Sequence, residues 1–547
     1  MSENGERPGW AGGIGNRVTL DADRMYLAME SRDRRFEGHF VVGVHSTGVY
    51  CRPGCPARIP RRQNVRFYPS AAAAEEQGLR ACLRCRPDAS PSAPVAIGTP
   101  TTVARGLRLI ADGALDEAGV DALAERLGVT ARHLRRLFEQ HLGASPLAVA
   151  RTQRSHFARK LLEETALPMA EVAHAAGFAS LRRFNAAVRS TFRATPSELR
   201  CRGMARGPAS DGLAPGDAWS AAGQGLVLRL PYRPPLAFEA LLSFLAARAI
   251  PGVEQVEAGT YARTLELGGH PGVLRVAQER GGRHLRLELQ GVRAGDLYAA
   301  VTRVRRLFDL DAQPSVVDAH LARDRRLATS VRARPGLRVP GAWDGFEVAV
   351  RAVLGQQVTV AGARTLARRL VERFGARVVA AGEGLDPRGS CLPEARAGLT
   401  HQFPSPRALV DADVASIGLP RARADAIRGL ARALEADPRA LDSIESLDGI
   451  GPWTAAYVAM RTGRDPDALP ASDLVLRRVL SGVDGPLGSA RAVEAAAAPW
   501  RPWRAYAVVH LWTTAAAAAG GLQATTQPAP VPGSSRCPGP GRSVGSR

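Results

Sequence analysis

Four cysteines near the start of the chain are spaced as metal ligands are. Three residues separate Cys51 from Cys55, two separate Cys82 from Cys85, and 26 residues lie between the pairs. Each close pair can supply two thiolates from one turn, so two pairs joined by a loop predict a tetrahedral four-cysteine zinc site. By spacing alone, the usual role of such a site is structural. Three further cysteines stand alone and have no predicted role: Cys201, Cys391 and Cys537.

A carboxylate beyond a glycine-rich turn is the second candidate for chemistry. The stretch IESLDGIGPWTAAYVAMRTG is followed by DALPASDLVLRRVL, which contains Asp473. Gly449 and Gly451 predict a tight turn between helices, whose N–H groups, with Thr454, could contact a DNA phosphate. In isolation, Asp473 directly before an apolar run could be a helix N-cap.

The composition points to an anionic partner. The 547 residues carry a formal net charge of +21, and the sequence pI is about 10.9. Nucleic acid is the commonest partner of so basic a protein, although compositional bias is an alternative because Lys160 is the only lysine. The few cysteines predict a reducing, cytoplasmic location. No apolar run reaches the length of a membrane span, so no membrane partner is expected.

Changes in composition divide the chain into blocks. Residues 88–100 and 201–224 are rich in Pro, Gly, Ala and Ser and are predicted linkers, and residues 520–547 are predicted to be a disordered tail. Three folded blocks remain between these breaks. The third block begins with GLVLRLPY, YARTLEL, GVLRVAQ and HLRLELQ, whose alternating apolar and polar residues predict strands with one buried face. Beyond about residue 312 the pattern becomes helical.

The first block, from FVVGVHSTGVYC to LRACLRC, resembles the N-terminal domain of the Ada-type alkylation regulators. The resemblance implies that Cys51 is both a zinc ligand and the acceptor of a methyl group from a methylphosphotriester in DNA. Zinc would keep this thiol deprotonated without a neighbouring base. Methylation would remove one negative charge from the site and so favour DNA binding. A purely structural zinc site is the alternative. Five arginines could hold the DNA backbone nearby: Arg52, Arg58, Arg61, Arg62 and Arg66.

The second block contains two helix-turn-helix patterns. In GVDALAERLGVTARHLRRLFEQHLGASP, Gly128 marks the turn and a basic helix starts near Thr130; LPMAEVAHAAGFASLRRFNAAVRSTFRATPSELR repeats the pattern with Gly177 and Ser180. The second helix of each is expected in the major groove. In tandem, they resemble the AraC-type DNA-binding domain. The candidate groove residues, each of which could contact phosphate instead, are Arg132, His133, Arg135, Arg136, Arg182, Arg183 and Asn185.

The motif LDGIGPWTA resembles the helix-hairpin-helix of base-excision DNA glycosylases, in which Asp473 takes the position of the catalytic carboxylate. From GLVLRLPY to WRPWRAYAVVHLW the block resembles the bacterial 3-methyladenine DNA glycosylase II (AlkA-type). Lyase chemistry is not expected, because Trp453 stands where bifunctional members carry a Schiff-base lysine. The resemblance implies a base pocket lined by Phe244, Trp453, Tyr457 and Trp503, whereas core packing is expected for Trp500 and Trp512.

Two features of this block qualify the resemblance. Gln357 stands where the family inserts an apolar wedge into the gap left by a flipped base, and the segment LPASD is one residue longer than in some relatives. An aromatic pocket would suit N-alkylated purines, because a cation is attracted to an aromatic face by about 0.5–2 kcal/mol. Asp473 would stabilise an oxocarbenium-like sugar and orient the attacking water.

The predicted fold is multidomain α+β. The predicted units are a small zinc α/β domain (15–90), an all-α tandem helix-turn-helix domain (100–200), a linker (201–224), an antiparallel-sheet α+β subdomain (225–311), an all-α helix-hairpin-helix glycosylase domain (312–519) and the tail (520–547).

The predicted function is excision of alkylated purines such as 3-methyladenine by a monofunctional DNA glycosylase fused to a methyl-accepting sensor and transcription regulator. The alternative is a transcription factor whose glycosylase-like block only binds DNA. One Zn²⁺ is the expected cofactor, and damaged and promoter double-stranded DNA are the expected partners. RNA polymerase is a candidate partner, and a monomer is expected.

Overall fold

A computed structural model of the chain describes residues 21–33, 36–82, 84–85, 87, 101–115, 119–204, 225–279, 283–378, 398–437, 440–463, 465–481 and 488–524. The predicted linker at 88–100, most of that at 201–224 and nearly all of the predicted tail lie outside the described residues, as do Cys391 and Cys537. None of the helices in the described ranges is long and apolar enough to cross a membrane.

The first folded unit is a four-stranded mixed sheet with two helices. Its strand order is β3-β1-β2-β4, in which β2 and β4 are parallel and the other pairs are antiparallel. The elements are α1 (Ala22–Glu30), β1 (Val41–Val44), β2 (Val49–Cys51), β3 (Val65–Tyr68), α2 (Ala71–Glu76) and β4 (Arg80–Ala81). The parallel pair is short, but it aligns the ends of two strands that lead directly into the cysteines.

The second unit is all-helical, as predicted. Gly128 and Gly177 take φ values of +68° and +74° at the two turns, where the left-handed conformation favours glycine. The side chains of Thr130 and Ser180 cap the two basic helices at the predicted starting points. The helices are α3 (Thr101–Ala111), α4 (Val120–Arg126), α5 (Ala131–Leu142), α6 (Pro146–Glu164), α7 (Met169–Ala175), α8 (Leu181–Phe192) and α9 (Pro196–Met204).

Helix α9 corrects the predicted start of the linker. It continues to Met204, so the boundary expected at residue 201 falls inside a helix, and Cys201 is exposed on that helix. The composition of this stretch resembles a linker, but its residues continue a helix that packs on α6.

The third unit begins with an antiparallel sheet of order β5-β9-β8-β7-β6. Alternate residues of β5 are buried, which confirms the predicted strand pattern. Strand β6 was not predicted, because its sequence EQVE contains a single apolar residue. The elements are β5 (Leu226–Pro231), α10 (Phe238–Arg248), β6 (Glu254–Glu257), β7 (Thr260–Leu267), β8 (His270–Gln278), β9 (His284–Gln290) and α11 (Leu297–Leu307).

The helical part of the third unit packs around two apolar clusters, one centred on α14, α15 and α17 and the other on α13 and α21. Helix α21 passes residue 520, so the predicted start of the tail is also too early. The helices are α12 (Pro314–Leu321), α13 (Arg325–Ala333), α14 (Gly345–Leu354), α15 (Val360–Phe374), α16 (Pro406–Leu409), α17 (Arg421–Ala436), α18 (Pro452–Arg461), α19 (Leu474–Ser481), α20 (Ala490–Ala497) and α21 (Arg504–Ala524).

A buried ion network joins the sheet to this helical part. Arg263 of β7 pairs with Glu347 of α14 at 2.6 Å, and Arg351 pairs with Glu347 and with Glu254 at 2.7 Å each. Tyr261 donates a hydrogen bond to Glu254 at 2.8 Å. Burial raises the pKa of Glu254, but Arg351 and Arg263 outweigh it and lower the pKa to about 2. The network fixes α14 against the sheet.

Removing one member of this network should destabilise the glycosylase unit. Glu347→Ala leaves Arg263 with a buried charge and without its closest carboxylate, so we expect a loss of roughly 3–5 kcal/mol in the free energy of unfolding by denaturant titration. Glu372→Ala is the matched control. Glu372 pairs with Arg368 at i,i+4 spacing, as Glu347 does with Arg351, but the Arg368–Glu372 pair is exposed. The control should lose less than about 1 kcal/mol. Equal losses would contradict a stabilising role for the network.

Candidate active site and zinc centre

The zinc centre lies at one end of the first sheet, where β2 and β4 stop. Cys51 is the last residue of β2, and Cys82 follows β4 and donates its N–H to the carbonyl oxygen of Tyr50 at 2.9 Å. A turn closed by the N–H of Cys55 and the carbonyl oxygen of Arg52, 3.1 Å apart, brings the first two thiols together. The sulfur atoms of all four predicted ligands lie within 4.8 Å of one another.

This arrangement fits a Zn²⁺ ion held by four sulfurs at about 2.3 Å. Hydrogen bonding between the sulfurs of Cys51 and Cys55 raises the pKa of Cys51 and lowers that of Cys55 to about 7. Thiols so close together cannot all ionise without a compensating cation, which a divalent metal supplies. Cys51, Cys82 and Cys85 are buried and Cys55 is half-buried. The chain therefore carries a four-cysteine zinc site.

The arginines around the zinc site divide into two groups. Arg52 is half-buried and pairs with the buried Glu37 at 3.3 Å. Arg62 lies 5.4 Å from the ring centre of Tyr26 and pairs weakly with Asp23 at 3.5 Å. Arg52 is therefore held against the protein, whereas four predicted DNA contacts remain on the surface: Arg58, Arg61, Arg62 and Arg66.

The outer faces of the two basic helices carry the predicted groove residues. His133 is half-buried, and its Nδ1 accepts a hydrogen bond from Arg136 at 3.0 Å. Asn185 is also half-buried. Five arginines are exposed on α5 and α8, where a major groove could reach them: Arg132, Arg135, Arg136, Arg182 and Arg183.

The predicted hairpin turn lies directly before α18. Gly449 has a φ of +78°, and a Cβ at this position would approach that of Ala426 to 2.5 Å, so both conformation and packing require glycine. Gly451 is the N-cap residue, and an added Cβ there would meet nothing within 4 Å. The turn therefore leaves open space at a helix N-terminus, which favours an anion such as a DNA phosphate.

Thr454 differs from its prediction as a DNA contact. It is 2% exposed, and its Oγ1 accepts a hydrogen bond from Nε2 of Gln356 at 3.2 Å. Gln356 also donates to the carbonyl oxygen of Gly449 at 3.2 Å. The side chain of Thr454 therefore positions a neighbouring loop instead of reaching the surface.

Asp473 is held by four N–H groups. Its Oδ1 accepts from the backbone of Val475 and Leu476 at 3.0 and 3.1 Å, as in a helix N-cap, and from Nε1 of Trp512 at 3.0 Å. Its Oδ2 accepts from Nε1 of Trp453 at 3.2 Å. The N-cap interpretation is therefore confirmed, and the same carboxylate lies beside two tryptophan rings.

Aromatic rings surround this carboxylate, and two tryptophans differ from their predictions: Trp512, expected in the core, bonds to Asp473, whereas Trp503, expected in the pocket, packs on Tyr506. Trp453 stacks on Tyr457 with ring centres 5.2 Å apart, Tyr457 lies 6.1 Å from Trp512, and Trp512 stacks on Phe244 at 6.4 Å. The predicted fourth ring, Trp503, instead packs edge-on against Tyr506 at 5.7 Å.

Helix geometry explains this error. Trp503 precedes the first residue of α21, whereas Trp512 lies eight residues into that helix, about 12 Å further along its axis. There it faces α19 and donates to Asp473. Trp500 is 1% exposed and bonds to Asp324 at 2.7 Å, which confirms its core assignment.

Two arginines beside the rings were not predicted. The guanidinium carbon of Arg248 lies 3.7 Å from the ring centre of Phe244, and that of Arg461 lies 5.0 Å from Phe244 and 5.4 Å from Tyr457. Each arginine follows its aromatic neighbour by four residues, in α10 and α18. An aromatic–Arg pair at i,i+4 spacing could have revealed both, since such residues share a helix face.

These arginines change the electrostatics expected for the pocket. Burial raises the pKa of Tyr457, but Arg461, Arg248 and Arg351 outweigh it, so the pKa is lowered. Arg248 already covers a face of Phe244. The rings therefore offer shape and stacking more than an unoccupied cation-binding face, and the carboxyl group of Asp473 lies beside them.

Four family models match separate segments of the chain: the metal binding domain of Ada over 24–88, a helix-turn-helix domain over 123–202, the AlkA N-terminal domain over 227–344, and the HhH-GPD superfamily base excision DNA repair protein over 350–504. A probable bifunctional transcriptional activator/DNA repair enzyme AlkA of Mycobacterium tuberculosis is 44% identical over 504 residues, which cover 90% of this chain and 96% of the relative.

Two Escherichia coli proteins match parts of the chain. DNA-3-methyladenine glycosylase 2 is 33% identical over 300 residues, which cover 52% of this chain and 96% of the relative. The bifunctional transcriptional activator/DNA repair enzyme Ada is 34% identical over 147 residues, which cover 27% of this chain and 39% of the relative.

Fold and site together define a DNA glycosylase of the helix-hairpin-helix superfamily, joined to a zinc domain and a helix-turn-helix DNA-binding domain. More narrowly, the chain belongs to the family of bifunctional transcriptional activators and DNA repair enzymes of the AlkA type.

The indole N–H groups around Asp473 give a direct test of the site. Trp512→Phe keeps a ring but removes one donor to the carboxylate, so we expect single-turnover excision of methylated bases to slow by roughly tenfold or more. Trp503→Phe is the matched control and should stay within about twofold of wild type, because its ring packs on Tyr506. A larger effect at Trp503 than at Trp512 would contradict the corrected pocket.

Proposed function

We propose that Asp473 is the catalytic carboxylate of a monofunctional glycosylase that hydrolyses the N-glycosidic bond of alkylated purines, with 3-methyladenine as the leading substrate. The observation that supports this proposal is the clamp of four N–H donors on Asp473 beside stacked aromatic rings. Two of the donors are indoles, which hold the carboxylate in one orientation without needing ordered water. Such preorganisation is suited to stabilising a charge that develops on the sugar.

In the proposed reaction, the damaged nucleotide leaves the duplex at a cost of a few kcal/mol and enters between the rings. The bond from C1′ to the purine nitrogen breaks, and its electron pair neutralises the alkylated, cationic base. The resulting positive charge on the sugar lies next to Asp473. A water oxygen then bonds to C1′ and gives its proton to the carboxylate or to solvent, which leaves an abasic site and a free neutral base.

The arrangement of charges bears on how damaged bases are selected. Arg248 and Arg461 lie against the rings, so they oppose a cationic base in the ground state. An alkylated purine loses its positive charge as it departs, and the new charge appears on the sugar beside Asp473. The proposed pocket therefore favours the departure of a cationic base over its tight binding, which is differential stabilisation of the transition state.

No lysine is available for a Schiff base at this site. Lys160, the only lysine of the chain, lies on α6 and bonds to Glu164 at 2.6 Å. Trp453 stands at the position in the helix-hairpin-helix where bifunctional glycosylases carry the Schiff-base lysine, and its indole donates to Asp473. Hydrolysis without strand cleavage by a lysine is therefore the proposed outcome.

Replacing the carboxylate tests this function. Asp473→Asn keeps a similar side-chain shape but removes the charge, so excision of 3-methyladenine from methylated duplex DNA should slow at least about a hundredfold. Asp465→Asn is the matched control, because Asp465 is exposed and should leave the rate unchanged. Release is measured by chromatography of free bases. No release by wild type would favour the alternative of a block that only binds DNA, and equal release by the two variants would remove Asp473 from the chemistry.

We further propose that Cys51 accepts a methyl group from a methylphosphotriester in DNA. The thiolate sulfur forms a bond to the methyl carbon, the carbon–oxygen bond breaks, and its electron pair stays on the phosphate oxygen. The products are a thioether and an ordinary phosphodiester, so the step occurs once per chain. Because one thiolate charge disappears, repulsion between the zinc site and DNA decreases.

Cys55 is an alternative methyl acceptor, because it is more exposed than Cys51. Cys51 is 8% exposed at the end of β2, whereas Cys55 is half-buried in the following turn. Exposure alone therefore favours Cys55, while the resemblance to Ada-type regulators favours Cys51. The exposed arginines Arg58, Arg61, Arg62 and Arg66 support either choice, since they can hold the DNA backbone near this turn.

Mass spectrometry separates these possibilities. After incubation with duplex DNA that carries methylphosphotriesters, tandem spectra of the peptide spanning both residues should place one added methyl on Cys51. Cys201 is the internal control, because it is exposed on α9 away from the zinc ligands and should stay unmodified. Methyl on Cys55 would transfer the proposed role to that residue, and an unmodified peptide would leave the zinc site purely structural.

For the remaining partners, we propose that α5 and α8 bind promoter DNA and that the chain acts as a monomer in the cytoplasm. Their exposed arginines support groove or phosphate contacts. RNA polymerase is the proposed protein partner at such promoters, in keeping with the activator function named for the related proteins.

A further inference from the structure

Strand β5 forms the outer edge of the five-stranded sheet, since β9 is its only strand partner among the described residues. An edge strand presents N–H and C=O groups that can bind another strand. In an antiparallel pair, both backbone groups of a residue point to the same side. Arg229 directs its two groups away from β9, because both bond to side chains of α6. Pro231 has no N–H, and its carbonyl oxygen accepts from Arg305 at 3.2 Å.

Two side chains of α6 take the place of a neighbouring strand. Glu164 accepts the N–H of Arg229 at 3.1 Å, and Lys160 donates to the carbonyl oxygen of the same residue. Lys160 also bonds to both carboxylate oxygens of Glu164, at 2.6 and 2.8 Å. The two residues are one helical turn apart, so their side chains lie together on one face. This ion pair therefore satisfies the donor and the acceptor that Arg229 presents at the sheet edge.

The choice of lysine at this position indicates a geometric requirement. The chain has 73 lysines and arginines together, and Lys160 is the only lysine. An ammonium group directs three donors from a single atom, whereas a guanidinium is a planar fork that suits a carboxylate. Lys160 meets three acceptors, which are the two oxygens of Glu164 and the backbone oxygen of Arg229. The ammonium therefore fits this contact better than the arginine that serves elsewhere in the chain.

The same side of α6 carries a second contact with the glycosylase unit. Phe157 packs edge-on against Tyr298 with ring centres 5.0 Å apart, and the hydroxyl of Tyr298 donates to Oε1 of Gln153 at 3.2 Å. Gln153, Phe157, Lys160 and Glu164 follow one another at spacings of four, three and four residues, which place them on one side of an α-helix. These four residues form the α6 docking face.

Buried apolar residues and a close backbone approach complete the interface. Leu161 of α6 and Leu228 of β5 are fully buried in one apolar cluster. An added Cβ at Gly295 would approach Nε2 of His174 in α7 to 2.7 Å, so the second helix-turn-helix lies close against the sheet. Burial of apolar surface is the main favourable term in most protein association. The contact between the two units therefore has an apolar centre beside the Lys160 ion pair.

We propose that β5 is a docking surface for the α6 docking face, and that the helix-turn-helix and glycosylase units stay together as one body without the peptide link between them. The exposed arginines of α5 and α8 and the turn at Gly451 remain uncovered in this body. Docking therefore leaves both proposed DNA-binding surfaces accessible, and it closes the sheet edge against a strand of a second chain. The inference concerns assembly and does not depend on chemistry at Asp473 or Cys51.

Cutting the full-length protein between the units tests this inference. A recognition sequence for a specific protease is inserted within residues 205–224, and the folded chain is cleaved there. At about 1 µM the two halves should co-elute at the mass of one chain, as expected when their Kd lies below that concentration. Separate halves would overturn the proposal. Co-elution at twice that mass would also overturn it, because β5 would then be bound by a second copy.

Lys160→Met removes the ammonium from the α6 docking face and keeps an unbranched side chain. The Kd of the cut halves should rise at least about tenfold, because Glu164 and the carbonyl oxygen of Arg229 lose a charged donor. Arg368→Met is the matched control, since Arg368 pairs with Glu372 at the same i,i+4 spacing on an exposed face. The control should stay within about twofold of the unsubstituted protein. Equal Kd values for the two variants would count against the α6 docking face.

The single lysine provides a second measurement on the intact chain. Lys160 and the N-terminal amine are the targets of an amine-acylating reagent. Relative to the N-terminal amine, Lys160 should react at least about tenfold more slowly in the folded protein than in the denatured chain, because reaction requires the units to open. Tyr298→Ala removes the ring against Phe157 and should accelerate labelling, whereas Tyr26→Ala, in the zinc unit, is the matched control. Equal labelling of Lys160 in folded and denatured protein would overturn the proposal.

Discussion

The hydrogen bonds that hold the carboxylate of Asp473 depend on the packing of several helices in the glycosylase unit. Its four donors come from α18, from the first turn of α19 and from α21, so three helices must pack correctly before the carboxylate has its orientation. The same α18 begins at the hairpin turn that favours a phosphate at its N-terminus. Helix α18 therefore contributes both to the turn that favours an anion and to the orientation of Asp473.

The aromatic residues around this carboxylate are held in place by arginines. Arg351, a member of the buried ion network, donates to the carbonyl oxygen of Arg248, and Arg248 covers Phe244. Arg461 links Tyr457 to the backbone of Gly341 and spans the same rings. The sheet subdomain thus supports the pocket through the buried ion network of Arg263, Glu254, Glu347 and Arg351. In the proposed reaction, the positive charge of Arg248 and Arg461 against the rings matches a base that leaves with its electron pair.

Motifs with local causes were predictable from the sequence. Turn glycines and N-cap residues placed the helix-turn-helix helices, and the cysteine spacing gave the zinc site, because each depends on a few neighbouring residues. Errors arose where packing decides. Trp503 and Trp512 are equally aromatic in sequence, and only the course of α21 selects the second for Asp473. Thr454 was predicted to contact DNA, yet its hydroxyl is buried and accepts a hydrogen bond from Gln356, which is 98 residues earlier in the sequence. Strand β6 lacked alternation and formed by pairing with β7.

The affinity for a charged sugar mimic tests whether Asp473 stabilises positive charge on the sugar, as we propose. Duplex DNA with a cationic pyrrolidine in place of one deoxyribose should bind far more tightly to wild type than DNA with a neutral tetrahydrofuran at that position. Asp473→Asn should lose most of this preference while binding the neutral duplex as before. An unchanged preference in the variant would rule out this role of Asp473, because the charge would then be stabilised by other groups.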